Sequence, residues 1–241
     1  MRLFNFAETL IKQCDFVLLD RKTKKMNVTY NILNWLFAMM ISGTPISKQA
    51  QETEIEATAR YESIAQDVAD VAFDENESPL FEGDNGRIKT AAVMIGIDNL
   101  ESHYRKDVDV GSLRGDNNGS WCLAQINLNG GRIRLNPDGS FNYLYGNSVD
   151  GFSGRDLVQD RKKCFRAQLA ILRASFKCNV PNENQKLNMY ASGFCDRGAY
   201  ASAERMKLAR SFWNQTTLKD ADVFTYLKEQ REHTLFLEDK Q

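Results

Sequence analysis

Ala91 to Asn127 reads AAVMIGIDNLESHYRKDVDVGSLRGDNNGSWCLAQIN, and the fold is decided there. The spacing predicts a helix over Ile88–Tyr104, then a loop rich in Gly, Asp and Asn, then a short apolar segment carrying Gln125. Met94, Ile97 and Tyr104 lie seven back, four back and three ahead of Glu101, so all share its helix face. A glutamate is rarely buried unless paired or working. An apolar wall would favour its protonated form, which suits a general acid near neutral pH. The plainer alternative is a rim residue that reaches back to solvent from the end of an amphipathic helix.

Three elements then follow in order, the second made of a Gly-rich loop and the glutamine segment after it. Glu101-Ser102-His103-Tyr104 is followed by Gly115-Asp116-Asn117-Asn118-Gly119-Ser120 and Leu123-Ala124-Gln125-Ile126-Asn127, and later by Met189-Tyr190-Ala191-Ser192-Gly193. Together they resemble the signature of lysozyme-like lytic transglycosylases. In that family an E-S pair ends a buried helix, a Gly-rich loop leads to a G-L-M-Q-I type segment, and an A-Y-N-A-G type tyrosine segment follows. The departures are Ser120-Trp121-Cys122 before Leu123, Ala124 in place of methionine and Ser192 in place of asparagine. They bear on substrate contacts more than on fold. The resemblance covers roughly residues 56 to 215 and implies a mainly α (α+β) fold, a lysozyme-like helical domain with a small β-hairpin and an N-terminal helical extension.

Composition permits this. The 241 residues are 42% apolar with only four prolines, enough for a largely helical core. A net charge of −1 and the absence of basic recognition motifs give no reason to expect nucleic acid as a partner. Charge is uneven: residues 51–90 hold eleven Asp/Glu against three Lys/Arg, and residues 151–180 hold seven Lys/Arg against two Asp/Glu. Solvated helix faces are the expected explanation. With two histidines, His103 and His233, and no CxxC, neither a metal nor any other cofactor is expected. Cys122, Cys164, Cys178 and Cys195 fall in the central region; two bridges of unreadable connectivity and buried free thiols are both open. No G-x-S-x-G occurs, and Cys122 or Cys195 with His103 is the only Cys/His pairing, which argues against a nucleophilic hydrolase.

Outward from the centre, residues 1–50 read as a helical and apolar extension, 54–216 as the catalytic domain and 217–241 as a charged, peripheral tail. Residues 3–19 have helical spacing. The basic cluster Arg21–Lys25 precedes the fourteen-residue apolar run Tyr30–Gly43. That run is shorter than the ~20 residues needed to cross a bilayer. A packed or interfacial helix, a membrane anchor and a cleaved signal within 21–43 all remain open. Residues 44–53 read as a linker and 54–74 as a helix. Ile133 and Leu135, then Phe141, Tyr143 and Tyr145, alternate around Pro137-Asp138-Gly139 and predict a hairpin. Tyr143 there is a candidate sugar-stacking residue, with ordinary packing as the alternative. Further helices are expected over Val158–Phe176, from Leu187 to Ala191, and over Ser202–Trp213.

The resemblance implies cleavage of the β-1,4 bond between N-acetylmuramic acid and N-acetylglucosamine in peptidoglycan. Glu101 would be the acid, Gln125 would hydrogen-bond the sugar near the broken bond, Ser120 would contact an N-acetyl group and Tyr190 would position Glu101 or the glycan. Gln125 satisfying loop backbone and Tyr190 packing in the core are the structural alternatives. A hydrolase needs a second carboxylate, for which Asp107, Asp109 and Asp116 are candidates unless they cap turns; a lytic transglycosylase needs only one. The expected partner is a peptidoglycan strand, in the periplasm or cell envelope or on a virion, with membrane, virion or secretion-machine contact through residues 1–43. The alternatives are a muramidase and a non-catalytic glycan-binding component of a virion or envelope-spanning assembly.

Overall fold

The computed structural model describes residues 32–49, 51–146 and 148–238. The predicted helix over 3–19 and the basic cluster at 21–25 lie outside them. Among the described residues the chain is mainly helical with two small antiparallel sheets.

The centre is helix α3, Gly86–Ser102. Every residue from Ile88 to Asn99 except Lys89 is buried, so α3 is a core helix enclosed nearly all round rather than a one-faced surface helix. Its first turn lacks a local side-chain cap. The carboxylate of Asp220 supplies one instead, accepting from Arg87 N at 2.9 Å and Ile88 N at 3.0 Å. At its other end Ser102 Oγ donates to Asp98 O at 2.7 Å, and His103 and Tyr104 turn left-handed at φ 50° and 49°, ending the helix.

Helices pack around α3 on several sides. α1, Ile32–Gly43, buries Ile32, Trp35, Leu36, Met39 and Met40, an i, i+4 stripe joined to the main core. Its last residue is glycine for a reason: a Cβ at Gly43 would stand 2.2 Å from Asn99 Nδ2 of α3. Asn99 Nδ2 then donates to Thr44 Oγ1 at 3.0 Å. α2, Glu54–Ala72, starts at the reciprocal Thr53/Glu56 capping box and buries Tyr61, Ile64, Ala65 and Val68. α8, Ala199–Trp213, runs along α3, with Met206 and Ala209 buried between them.

Between α3 and α8 lie the short helix α4 (Lys106–Asp109), β1 (Ser120–Trp121) paired with β2 (Ile126–Asn127), and the hairpin of β3 (Arg132–Leu135) and β4 (Phe141–Leu144). Ile133 pairs with Tyr143 and Leu135 with Phe141 across the predicted turn, where Gly139 takes φ +77°. α5 (Gly154–Gln159) and α6 (Arg161–Phe176) replace the single predicted helix, because Asp160 leaves helical geometry to cap α6 through Lys162 N at 3.0 Å. α7 (Asn188–Ser192) and α9 (Asp220–Glu238) complete the chain's described elements.

Contacts among the described residues qualify several expectations from the sequence. Residues 44–53 do not separate two cores: α1 shares one with α2 and α3, and Gln49 Nε2 donates to Tyr61 Oη and His103 O, each at 2.9 Å. No helix among the described residues is long and apolar enough to cross a membrane. The first part of the tail, residues 217–230, is docked as well, since Leu218, Val223 and Leu227 are buried and Asp220 caps α3. Finally, the uneven charges face each other rather than solvent alone. Arg161 pairs with Asp67 at 2.9 Å, Lys162 with Asp70 at 2.5 Å, Arg166 with Asp74 at 3.2 Å and Arg173 with Glu77 at 2.7 Å, lacing α6 to α2 and the loop after it.

Candidate active site

Glu101 sits in the last turn of α3 with its side chain 21% exposed. Met94 and Ile97 are fully buried on its face as the spacing requires; Tyr104 lies past the helix end and is buried by folding back, its hydroxyl donating to Ile95 O. The apolar wall is incomplete, however. Arg205 of α8, only 13% exposed, donates from both Nε (3.1 Å) and Nη2 to the single oxygen Oε1 of Glu101. Nothing in the spacing around Arg205 marks it as a site residue, because its partner is 104 positions away.

One turn earlier, Asp98 is wholly buried. Gln168 Nε2 of α6 donates to its Oδ1 at 2.8 Å and to Met94 O at 3.2 Å, while Asp98 Oδ2 and Gln168 Oε1 have no partner. Burial pushes the Asp98 carboxyl well above the usual carboxylate range; the Gln168 hydrogen bond opposes this and the charge of Glu101 adds to it. Sequence reading missed Asp98, although its place three residues before Glu101 on a helix apolar all round was the available signal.

The glutamine loop is held by its own polar groups. Gln125 Oε1 accepts from Gly115 N at 3.1 Å and Gln125 Nε2 donates to Cys122 O at 3.0 Å, so the side chain staples the loop shut. A Cβ at Gly115 would meet Gln125 Oε1 at 2.3 Å, which explains that glycine. Ser120 is buried and donates to Asp116 Oδ2 at 2.6 Å, where Asn127 Nδ2 also donates at 3.2 Å. Cys122 and Gln125 both adopt left-handed φ, 57° and 50°, a conformation costly for such side chains. The Cys122–Cys164 disulfide fastens this loop to α6. A second bridge, Cys178–Cys195, fastens the segment after α7 to the end of the same helix. The open question of free thiols against bridges is thereby answered, with the pairing defined.

Tyr190 of α7 joins the parts. Its hydroxyl donates to Ala124 O at 2.6 Å, in the residue before Gln125, so it holds the loop rather than the Glu101 carboxylate. The Tyr190 side chain is half-buried. Burial pushes its hydroxyl well above the usual tyrosine range, the charges of Glu101 and Asp98 push further, and Arg205 opposes them. Packing brings these helices together, since α8 lies along α3 and also against α7. Tyr143 is 36% exposed; its hydroxyl is pushed up to about 12, first by burial and then by Tyr145. The Tyr143 and Tyr145 rings lie 6.5 Å apart, two aromatic surfaces side by side, with Tyr145 63% exposed.

No family model, no curated protein and no solved structure matches the chain.

The candidate second carboxylates are all engaged elsewhere. Asp109, 4% exposed, is gripped by Arg161 Nε at 2.8 Å with Arg60 at 3.9 Å. Asp107 accepts from Arg105 Nε at 3.0 Å and Gln51 Nε2 at 3.2 Å. Asp116 closes the Ser120 turn, the capping role foreseen as its alternative. Among the described residues no group of His, Cys, Asp and Glu could hold a metal ion. Two surface depressions, one lined by Lys48, Gln49, Arg105 and Asp107 and the other by Asp67, Asp109 and Arg161, do not include Glu101.

Proposed function

We propose that the protein is a peptidoglycan-cleaving lytic transglycosylase that acts on the N-acetylmuramic acid to N-acetylglucosamine β-1,4 bond with Glu101 as its single acid and base. The observation that supports this reading best is the Tyr190 hydroxyl, which donates to Ala124 O and so ties the tyrosine segment to the glutamine loop. A one-carboxylate mechanism is further supported by the fixed partners of Asp107, Asp109 and Asp116, which leave a water-activating base or nucleophile hard to assign. The paired Tyr143 and Tyr145 rings suit the apolar C–H faces of sugars.

In this mechanism Glu101 gives a proton to the departing glycosidic oxygen. Its carboxylate then takes the proton of the sugar's own C6 hydroxyl, whose oxygen closes on C1 to give a 1,6-anhydro end. Gln125 and Ser120 shape the loop beside this reaction, and a contact with the glycan would have to be made by the surfaces their internal bonds leave free. Two disulfides support action in an oxidising compartment such as the periplasm or cell envelope.

A second reading, a glycan-binding component without catalysis, is favoured by the Glu101–Arg205 ion pair, which an ordinary rim glutamate would also make. Purified peptidoglycan incubated with the protein and with Glu101→Gln separates the two. The enzyme reading expects soluble fragments from the wild type and a fall of about 10²- to 10⁴-fold in the variant. Equal retention on sacculi with no release by either protein would favour the binding component.

A further inference from the structure

Resting on that reading, the geometry around Glu101 assigns a role to a residue outside the three motif elements. An arginine commonly grips a carboxylate through both oxygens. Here Nε and Nη2 of Arg205 both point to Oε1, and Oε2 accepts no hydrogen bond among the described residues. The Tyr190 hydroxyl is committed to Ala124 O and Asp98 Oδ1 to Gln168, and no hydrogen bond joins Asp98 Oδ2 to Glu101. Arg205 comes from α8, whose packing against the buried face of α3 fixes the guanidinium relative to the acid.

We propose that Arg205 is the positioning residue of the acid: it anchors Oε1 and leaves Oε2 as the oxygen that exchanges the proton. When the Oε2 proton passes to the glycosidic oxygen, the C1–O bond breaks with its electron pair on the leaving oxygen and the carboxylate becomes charged. The guanidinium already stands where that charge develops, so no reorganisation is required. As the C6 oxygen bonds to C1, its proton returns to Oε2 and the cycle closes. The pair is therefore a part of the reaction rather than a rim contact.

The test measures initial rates over a range of solubilised glycan-strand concentrations for the wild type, Arg205→Ala and Arg205→Lys, with melting temperatures alongside. Loss of a donor aimed at developing charge predicts a kcat lower by about a hundredfold or more in Arg205→Ala, with KM little changed. Arg205→Lys should retain part of the rate, and added guanidinium ion should raise the rate of Arg205→Ala only. Wild-type kcat in Arg205→Ala would overturn the proposal, as would a loss that neither lysine nor guanidinium restores. A wild type that cleaves nothing would instead overturn the enzyme reading, and this one with it.

Discussion

Helix α3 buries every residue from Ile88 to Asn99 but Lys89, whereas the loop from Gly115 to Asn129 holds itself with side-chain hydrogen bonds, left-handed residues and a disulfide. On the proposed mechanism both serve one site. Glu101, the proposed acid, is carried by an apolar-packed helix and held by Arg205, and the loop gains its shape from polar bonds that reinforce one another. The helix should therefore tolerate local damage in proportion to lost contacts, while the loop should fail as a unit.

The largest expected effect comes from opening the loop's covalent anchor. Replacing Cys122 and Cys164 together by serine frees a cross-link spanning 42 residues, worth about 4 kcal/mol of chain entropy in the unfolded state. Denaturant unfolding should record that loss, and cleavage of peptidoglycan should fall further than the folded fraction does. On the helix side, Met94→Ala removes a fully buried side chain and should cost about 2–5 kcal/mol, with cleavage by the remaining folded protein largely kept. A Met94→Ala protein that is fully folded yet inactive would show that the helix is as fragile in function as the loop.

Gly115→Ala sharpens the contrast at a single atom. Its new Cβ competes with Gln125 Oε1, so a stability cost of about 1–3 kcal/mol with a larger loss of cleavage is expected. Unchanged activity would mean that the Gln125 staple is dispensable. The smallest effect is a change of slope. Burial raises the Asp98 pKa in the folded protein, so its stabilising contribution is fully present below the unfolded value near pH 4 and is lost as pH rises towards the folded one. Asp98→Asn cannot titrate and should flatten that part of the stability–pH curve; an unaltered slope would show that Asp98 is not its source.

Much of the helix side was legible because burial writes itself as period. The spacing of Met94, Ile97 and Glu101 marked α3, and the alternation of Phe141, Tyr143 and Tyr145 marked the hairpin within a residue of its observed end. The loop was legible only as composition and resemblance: Gly115, Gln125 and Tyr190 could be named, but not which backbone groups they would satisfy. Contacts between distant segments left no local trace. Arg205 on Glu101, Asp220 on the first turn of α3 and the α2–α6 ion pairs each join residues that no window of sequence contains together. The apolar run at 30–43 was ambiguous for a related reason, since a helix buried on its core side and a short membrane-seeking helix share one composition.

The most direct measurement of the central claim is the mass of the fragments that the wild-type protein releases from purified peptidoglycan. Fragments ending in 1,6-anhydro sugars, lighter by one water than hydrolysis products, are what a single acid at Glu101 predicts. Fragments with ordinary reducing ends would contradict it, because water rather than the sugar's own C6 hydroxyl would then have attacked C1.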